Sequence, residues 1–371
     1  MVARWVARPS AAPGLRMRNL GHWLFIGLWL FSLACRDRAL AGPNAPVLPS
    51  SFIVNQPAEK VKGLTLVAPP EPFHQDPIPA LKTVGANWIA AVPYAYTRPG
   101  RARVHFPDGV GQWWGEGRAG VRQTLRLAHA AGVHVMVKPQ VYVPGGWTGG
   151  LDFQSPDEWQ AWEADYRRYI LSFAALAAEE HAELFCIGTE FRQVLRKRPA
   201  FWTALIAEIR AVYAGKLTYS ANWDDWEQVP FWSQLDYIGL GAYYPLVNEP
   251  TPSVAALTAA WQPIVQKLAA YANQHKRPVL FTEFGYLSVD GSGWRNWELE
   301  SAISSRPINQ EAQANCLSAL LSTWLPQPFW AGGFLWKWFP NMRGHEGYPE
   351  RDYTPQGKLG ETVLRRHYLG R

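Results

Sequence analysis

Beyond residue 60 the chain alternates short apolar runs with longer stretches that are apolar at helical spacing. The runs fall at 63–68, 88–92, 133–138, 184–190, 217–221, 237–241, 279–283 and 333–336. Continuous apolar runs of this length, bounded by helical segments, read as buried parallel strands. Between them, 117–131 is apolar at helical spacing and stops at Gly132, a natural helix end. Ser155-Pro156-Asp157-Glu158 combines an N-cap serine, a proline at the first helical position and a glutamate at the third, which opens a helix to about residue 180. Thr251-Pro252 opens another, to about residue 274, and helices are expected over 308–324 and 356–368. Strict strand–helix alternation implies parallel strands joined by right-handed crossovers. Eight units predict an α/β fold, a (β/α)8 TIM barrel over 59–371. The other arrangement, a doubly wound open sheet, needs a glycine-rich turn after its first strand, where Pro69-Pro70 stands instead.

The segment ahead of the barrel has a different composition. Residues 42–58 are proline-rich and read as a linker or arm. Residues 1–41 read as an export leader, with arginines followed by the apolar stretch 24–34 and Ala39-Leu40-Ala41 as a small-x-small cleavage pattern. Met17 is an alternative start. The apolar stretch is short for a membrane span of about 20 residues. Signal peptide, lipoprotein anchored at Cys35 and uncleaved anchor all remain open, so any membrane attachment would run through the leader or Cys35. The expected location is exported, periplasmic or extracellular. The same segment explains the charge. The chain carries a formal +6, but residues 1–41 hold six arginines and one aspartate, leaving 30 basic against 29 acidic residues elsewhere. No basic run with interleaved aromatics remains, which argues against a nucleic-acid partner.

Two of the predicted strands end in a carboxylate: Leu184-Phe185-Cys186-Ile187-Gly188-Thr189-Glu190 and Val279-Leu280-Phe281-Thr282-Glu283. Barrel enzymes keep their chemistry at the carboxyl ends of the strands. By count these are strands four and seven, whose ends lie across the mouth from one another. Two carboxyls converging there suit glycosidic cleavage with retention, one protonating the leaving oxygen and the other attacking the anomeric carbon from about 5–5.5 Å away. The acid needs apolar surroundings and a neighbouring negative charge, and the nucleophile needs hydrogen-bond donors.

Other strand ends supply candidate substrate contacts. These are Lys138 and Gln140 after strand three, Asn222 and Trp223 after strand five, Tyr243 and Tyr244 after strand six, and Trp336 on strand eight. A tyrosine of the Tyr243-Tyr244 pair is placed to hold Glu283. Trp113 and Trp114 lie in a loop after strand two and Trp147 in one after strand three. Polar groups and aromatics at strand ends are the usual lining of a sugar cleft. Each has a plainer reading beside it. The 20 tryptophans and 15 tyrosines equally fill cores, and Lys138 equally pairs with a buried acid. Lys337 faces away from the cleft if Trp336 faces in.

These phrases resemble clan A glycoside hydrolases and, more narrowly, glycoside hydrolase family 113, the mannanase-like group. The matching motifs are Ile187-Gly188-Thr189-Glu190, Leu235-Asp236-Tyr237-Ile238-Gly239 with Tyr243-Tyr244-Pro245, Phe281-Thr282-Glu283-Phe284-Gly285-Tyr286, Trp336-Lys337-Trp338 and the tail Asp352-Tyr353-Thr354-Pro355-Gln356-Gly357-Lys358. The resemblance runs from about residue 60 to the end. It implies Glu190 as acid/base, Glu283 as nucleophile, and a retaining hydrolase of β-linked polysaccharide such as β-mannan. Clan A commonly has asparagine before the acid/base to bind the sugar 2-hydroxyl. Thr189 stands there, so that contact and the sugar's identity are left open.

The nine histidines form no His-x-His pair, and no Gly-x-Ser-x-Gly elbow or phosphate loop occurs. No cofactor or metal is expected. Past the leader only Cys186 and Cys316 remain, read as two buried free thiols. Two other functions compete: a carbohydrate-binding barrel that lost turnover, and a transglycosylase using the same site.

Overall fold

The computed structural model describes residues 59–109, 111–341 and 348–370. The leader, residues 42–58 and Cys35 lie outside them. Eight parallel strands form the barrel: β1 (Val61–Leu66), β2 (Trp88–Ala91), β3 (His134–Val137), β4 (Leu184–Thr189), β5 (Lys216–Ser220), β6 (Ile238–Gly241), β7 (Val279–Phe284) and β8 (Trp330–Trp338). Neighbours run β5-β4-β3-β2-β1-β8-β7-β6. The last seam closes between β5 and β6, where Ala221 N–H donates to Gly239 O at 3.0 Å and Gly241 N–H to Ala221 O at 2.8 Å. The predicted (β/α)8 barrel is therefore the observed fold, with every predicted apolar run on a strand.

Nine helices are seen among the described residues: α1 (Ile78–Thr83), α2 (Arg118–Ala130), α3 (Pro156–Glu179), α4 (Arg192–Lys197), α5 (Pro199–Val212), α6 (Val254–His275), α7 (Asn296–Glu300), α8 (Gln310–Trp324) and α9 (Leu359–Leu369). The capping box at Ser155 and Glu158 forms as expected. Three expectations need correction. No α-helix joins β5 to β6. Two 3-10 turns, Trp226–Gln228 and Trp232–Gln234, take its place, because Phe231 and Trp232 turn inward onto Tyr219. α6 starts after Ser253, whose hydroxyl caps Ala256 N–H at 3.2 Å, so Thr251-Pro252 stays outside the helix. α9 starts at Leu359 because Gln356 is engaged elsewhere, its side chain bracketing both backbone groups of Phe339.

Inside the barrel Val61, Ala90, Val92, Met136, Leu184, Cys186, Leu280 and Phe334 pack together. Trp162, Trp202, Trp232, Trp261, Trp324 and Trp330 are fully buried. For these tryptophans the core reading is the right one. Gly239 on β6 is needed at the seam, since an added Cβ would stand 2.2 Å from Tyr219 O. Among the described residues Cys186 and Cys316 are free and buried. Among the described residues no helix is long and apolar enough to cross a membrane, and no cluster of three His, Cys, Asp or Glu is placed to hold a metal.

Candidate active site

Both glutamates sit where the regular ladder breaks. On β7 the register with β6 slips between Leu240 and Gly241, so that Gly241 stands opposite Glu283. The β7–β8 register slips over the same stretch. Leu280 lies in the barrel core, and Thr282 bonds Ser220 of β5 at 2.7 Å. Simple alternation would turn Glu283 outward. An extra residue at this point re-aims it into the mouth, as bulges beside functional sites do.

On β4 the register with β5 slips between Cys186 and Thr189. Glu190 then takes a left-handed backbone, φ 57°. For a residue with a Cβ this costs about 1–2 kcal/mol. The surrounding bonds hold the turn in place. Glu190 N–H donates to Ser220 O at 2.8 Å, Arg192 N–H to Glu190 O at 2.8 Å, and Phe191 N–H to the Tyr219 hydroxyl at 2.7 Å.

The two carboxyls meet different neighbours. Glu283 Oε1 accepts from the Lys138 ammonium and from Gln140 Nε2 at 2.8 Å, and its Oε2 accepts from the Tyr243 hydroxyl at 3.1 Å. Lys138 is completely buried. Lys138 and Gln140 reach the same oxygen because the chain continues extended past Pro139, pairing Gln140–Tyr142 with Tyr94–Tyr96 beyond β2. Three donors thus converge on one carboxylate.

Among the described residues Glu190 has a single side-chain partner, Trp147 Nε1, which donates to its Oε2 at 2.7 Å. Burial pushes its carboxyl up to about 7. The indole hydrogen bond works against the rise, while the negative charges of Glu283 and, more weakly, Asp225 add to it and Lys138 opposes it. Part of its surface still opens to the mouth. The pair is therefore set apart chemically, one group favouring the proton near neutrality and the other wrapped in donors.

Among the other predicted residues, Tyr243 reaches a glutamate as expected. Lys138 and Gln140 also converge on the site, but on Glu283, with the lysine inaccessible to solvent. Thr189 is half-buried on β4, opposite Ser220. Asn222 uses its side-chain oxygen within its own loop, accepting from Trp223 N–H at 3.0 Å. Trp223 stacks on Trp297, ring centroids 5.9 Å apart and nearly parallel. Tyr244 does not reach the glutamates, because its hydroxyl accepts from Trp226 Nε1 at 3.1 Å and its ring packs edge-on to Trp223 and Trp261. Trp114 packs edge-on against Phe73, and Trp113 is exposed beside it. Trp336 is half-buried beside Tyr243, next to Leu287, Val289, Leu299 and Tyr353. Lys337 is buried and paired with Asp352 at 3.4 Å.

Two participants escaped the sequence reading: Arg192 and Trp297. Arg192 lies two residues past Glu190, and that proximity was the available signal. Trp297 lies in the long segment after β7, which carries no motif. Neither glutamate lines the two surface hollows of about 610 and 620 Å³, whose walls include Arg118 and Asp108. The hydrogen-bond geometry at the barrel mouth is the better guide to the chemistry.

Comparison with known proteins agrees with this architecture. The family model of Glycoside Hydrolase Family 113 matches residues 74–358. A GH113 β-mannanase from Alicyclobacillus acidocaldarius, solved in complex with ManMIm, is 26% identical with a TM-score of 0.71, over 84% of this chain and 97% of that one. A GH113 β-1,4-mannanase complex is 24% identical with a TM-score of 0.71, over 84% of this chain and 100% of that one. A β-glucuronidase from Faecalibacterium prausnitzii shares only the fold, at 14% identity and TM-score 0.57, over 84% of this chain and 49% of that one. No curated protein matches. With a barrel of this topology and a family match across most of its length, the chain belongs to glycoside hydrolase family 113.

Proposed function

We propose that the protein is an exported, retaining glycoside hydrolase that cleaves β-mannan or a closely related β-linked polysaccharide. Glu190 acts as acid/base and Glu283 as nucleophile. The observation that carries this reading is the opposite setting of two carboxyls at the ends of β4 and β7. Glu190 is pushed up to about 7 and has one neutral donor. Glu283 is held by Lys138, Gln140 and Tyr243.

In the first step Glu190 passes its proton to the glycosidic oxygen as the bond from that oxygen to the anomeric carbon breaks. Glu283 attacks the same carbon and forms a glycosyl ester. In the second, the Glu190 carboxylate takes a proton from water, whose oxygen displaces Glu283. Oε2 of Glu283 has one neutral partner and Oε1 has two, one of them cationic. Oε2 therefore keeps more of its electron density and is the better attacking atom. The mannan preference rests on the GH113 mannanases of similar structure. Exposed Trp113 and Trp297 favour a polymer, since tryptophan faces stack on sugar rings. Export rests on the leader alone.

The test combines a substrate panel with one variant. β-Mannan, β-glucan, xylan and bacterial exopolysaccharides are compared, and the anomer of the first product is read by NMR. Retention is expected, with activity falling above about pH 7 as Glu190 loses its proton. Glu190→Ala should lose about 10³-fold on unactivated glycosides and far less on aryl glycosides with good leaving groups, which need no proton. An inverted product, or equal loss on both substrate types, sinks these assignments.

A further inference from the structure

Among the described residues Trp147 is the one side chain bonded to the Glu190 carboxyl, and its own placement is tightly determined. One face of the indole lies under the Arg192 guanidinium, 4.8 Å from the ring centroid. The ring also folds back over Gly149, where an added Cβ would stand 2.3 Å from Cη2 and Cζ2. Only glycine leaves that space. Arg192 is itself fixed by Asp224 and, at 2.7 Å, by Asp225 Oδ2, both in the loop after β5. The loop carrying Trp147 is tied to α4 a second time, through Lys197 and Asp152 at 2.6 Å. Yet Trp147 remains 41% exposed.

The hydrogen bond is directional. An N–H pointing at Oε2 makes that oxygen an acceptor and disfavours a proton on it. No hydrogen bond reaches Oε1 among the described residues. We propose that Trp147 is a positioning residue that reserves Oε1 of Glu190 for the transferable proton and aims it at the leaving oxygen, with Arg192 and Gly149 holding the indole in place. The inference rests on the acid/base reading of Glu190. After proton transfer the same N–H stabilises the carboxylate that must next act as base. No atoms beyond those of the two hydrolytic steps are involved. The charged groups acting on Glu190 are Glu283 from β7, Lys138 after β3 and Asp225 after β5, and Arg192 follows it in the chain.

The test is Trp147→Phe, which keeps a ring under Arg192 and removes the N–H. The alkaline limb of the kcat/KM profile should move up by about one pH unit, because a donor to the carboxylate is lost. Turnover of unactivated glycosides should fall about 10- to 100-fold, and that of activated aryl glycosides no more than about threefold. Gly149→Ala, which displaces the ring, should reproduce both effects, and Arg192→Lys should show them more weakly. An unmoved limb with equal loss on both substrates in Trp147→Phe and Gly149→Ala overturns the proposal, leaving Trp147 as packing. Glu190→Ala in the same assays separates the two levels. If that variant shows leaving-group dependence while the tryptophan variants do not, only the positioning inference fails. If it shows none, the acid/base role fails and takes this inference with it.

Discussion

The ends of β4 and β7 present the same side chain in two different environments. Glu283 is gripped on both oxygens by three groups from two other segments, one of them a lysine with no access to water. Glu190 hangs from a strained turn and, among the described residues, is bonded through its carboxyl to a single indole. The difference teaches that a barrel mouth assigns roles through its surroundings. A carboxyl surrounded by donors is suited to stay a nucleophile. A carboxyl with little but burial around it keeps a proton to give.

The sharpest way to break the comparison is at the gripped end. Glu283→Gln should lower kcat by about 10⁴-fold or more, since no other group takes over the covalent step. Far-UV circular dichroism should stay unchanged. Residual turnover within tenfold of wild type would remove Glu283 from the mechanism. Next comes the grip itself. Lys138→Met leaves Glu283 without its cation, and kcat/KM should drop about 10²-fold. Removing one partner of a buried pair also costs stability, here about 3 kcal/mol at pH 7. A wild-type melting temperature for this variant would mean that the lysine does not hold the nucleophile.

The smallest effect concerns the open end and reads on stability. Glu190 has a folded-state value of about 7 against 4.5 for an ordinary glutamate, so the fold favours its protonated form. Below about pH 4.5 both folded and unfolded chains carry the proton and no penalty exists. The penalty grows between 4.5 and 7 and is complete above 7. Glu190→Gln should therefore leave the melting temperature near wild type at pH 4. At pH 8 it should raise stability by about 2 kcal/mol, a value reduced from the full shift because the mouth admits water. A stabilisation that is equal at both pH values would assign the gain to something other than the buried charge.

Much of this is legible in the amino-acid sequence alone. The eight apolar runs, the capping box at Ser155 and the two strand-ending glutamates are local patterns, and local patterns survive in a sequence. The missing helix between β5 and β6 was not readable, because Phe231 and Trp232 follow Tyr219 and Trp202 rather than their own periodicity. Tyr244 looked like a substrate contact beside Tyr243, but Trp226 claims its hydroxyl. Lys138 had two readings, and only proximity to Glu283 chose between them.

The sequence by itself determined the barrel, its strand count and the strands that carry acids, because periodicity and turn chemistry act over a few residues. Tertiary structure decided which way the glutamates point and who holds them. The register slips that aim them are set by neighbouring strands. The partners come from far along the chain: Lys138 lies 145 residues from Glu283, and Trp147 lies 43 from Glu190. Contacts over such separations form only when the barrel closes, and the proton's preferred site forms with them.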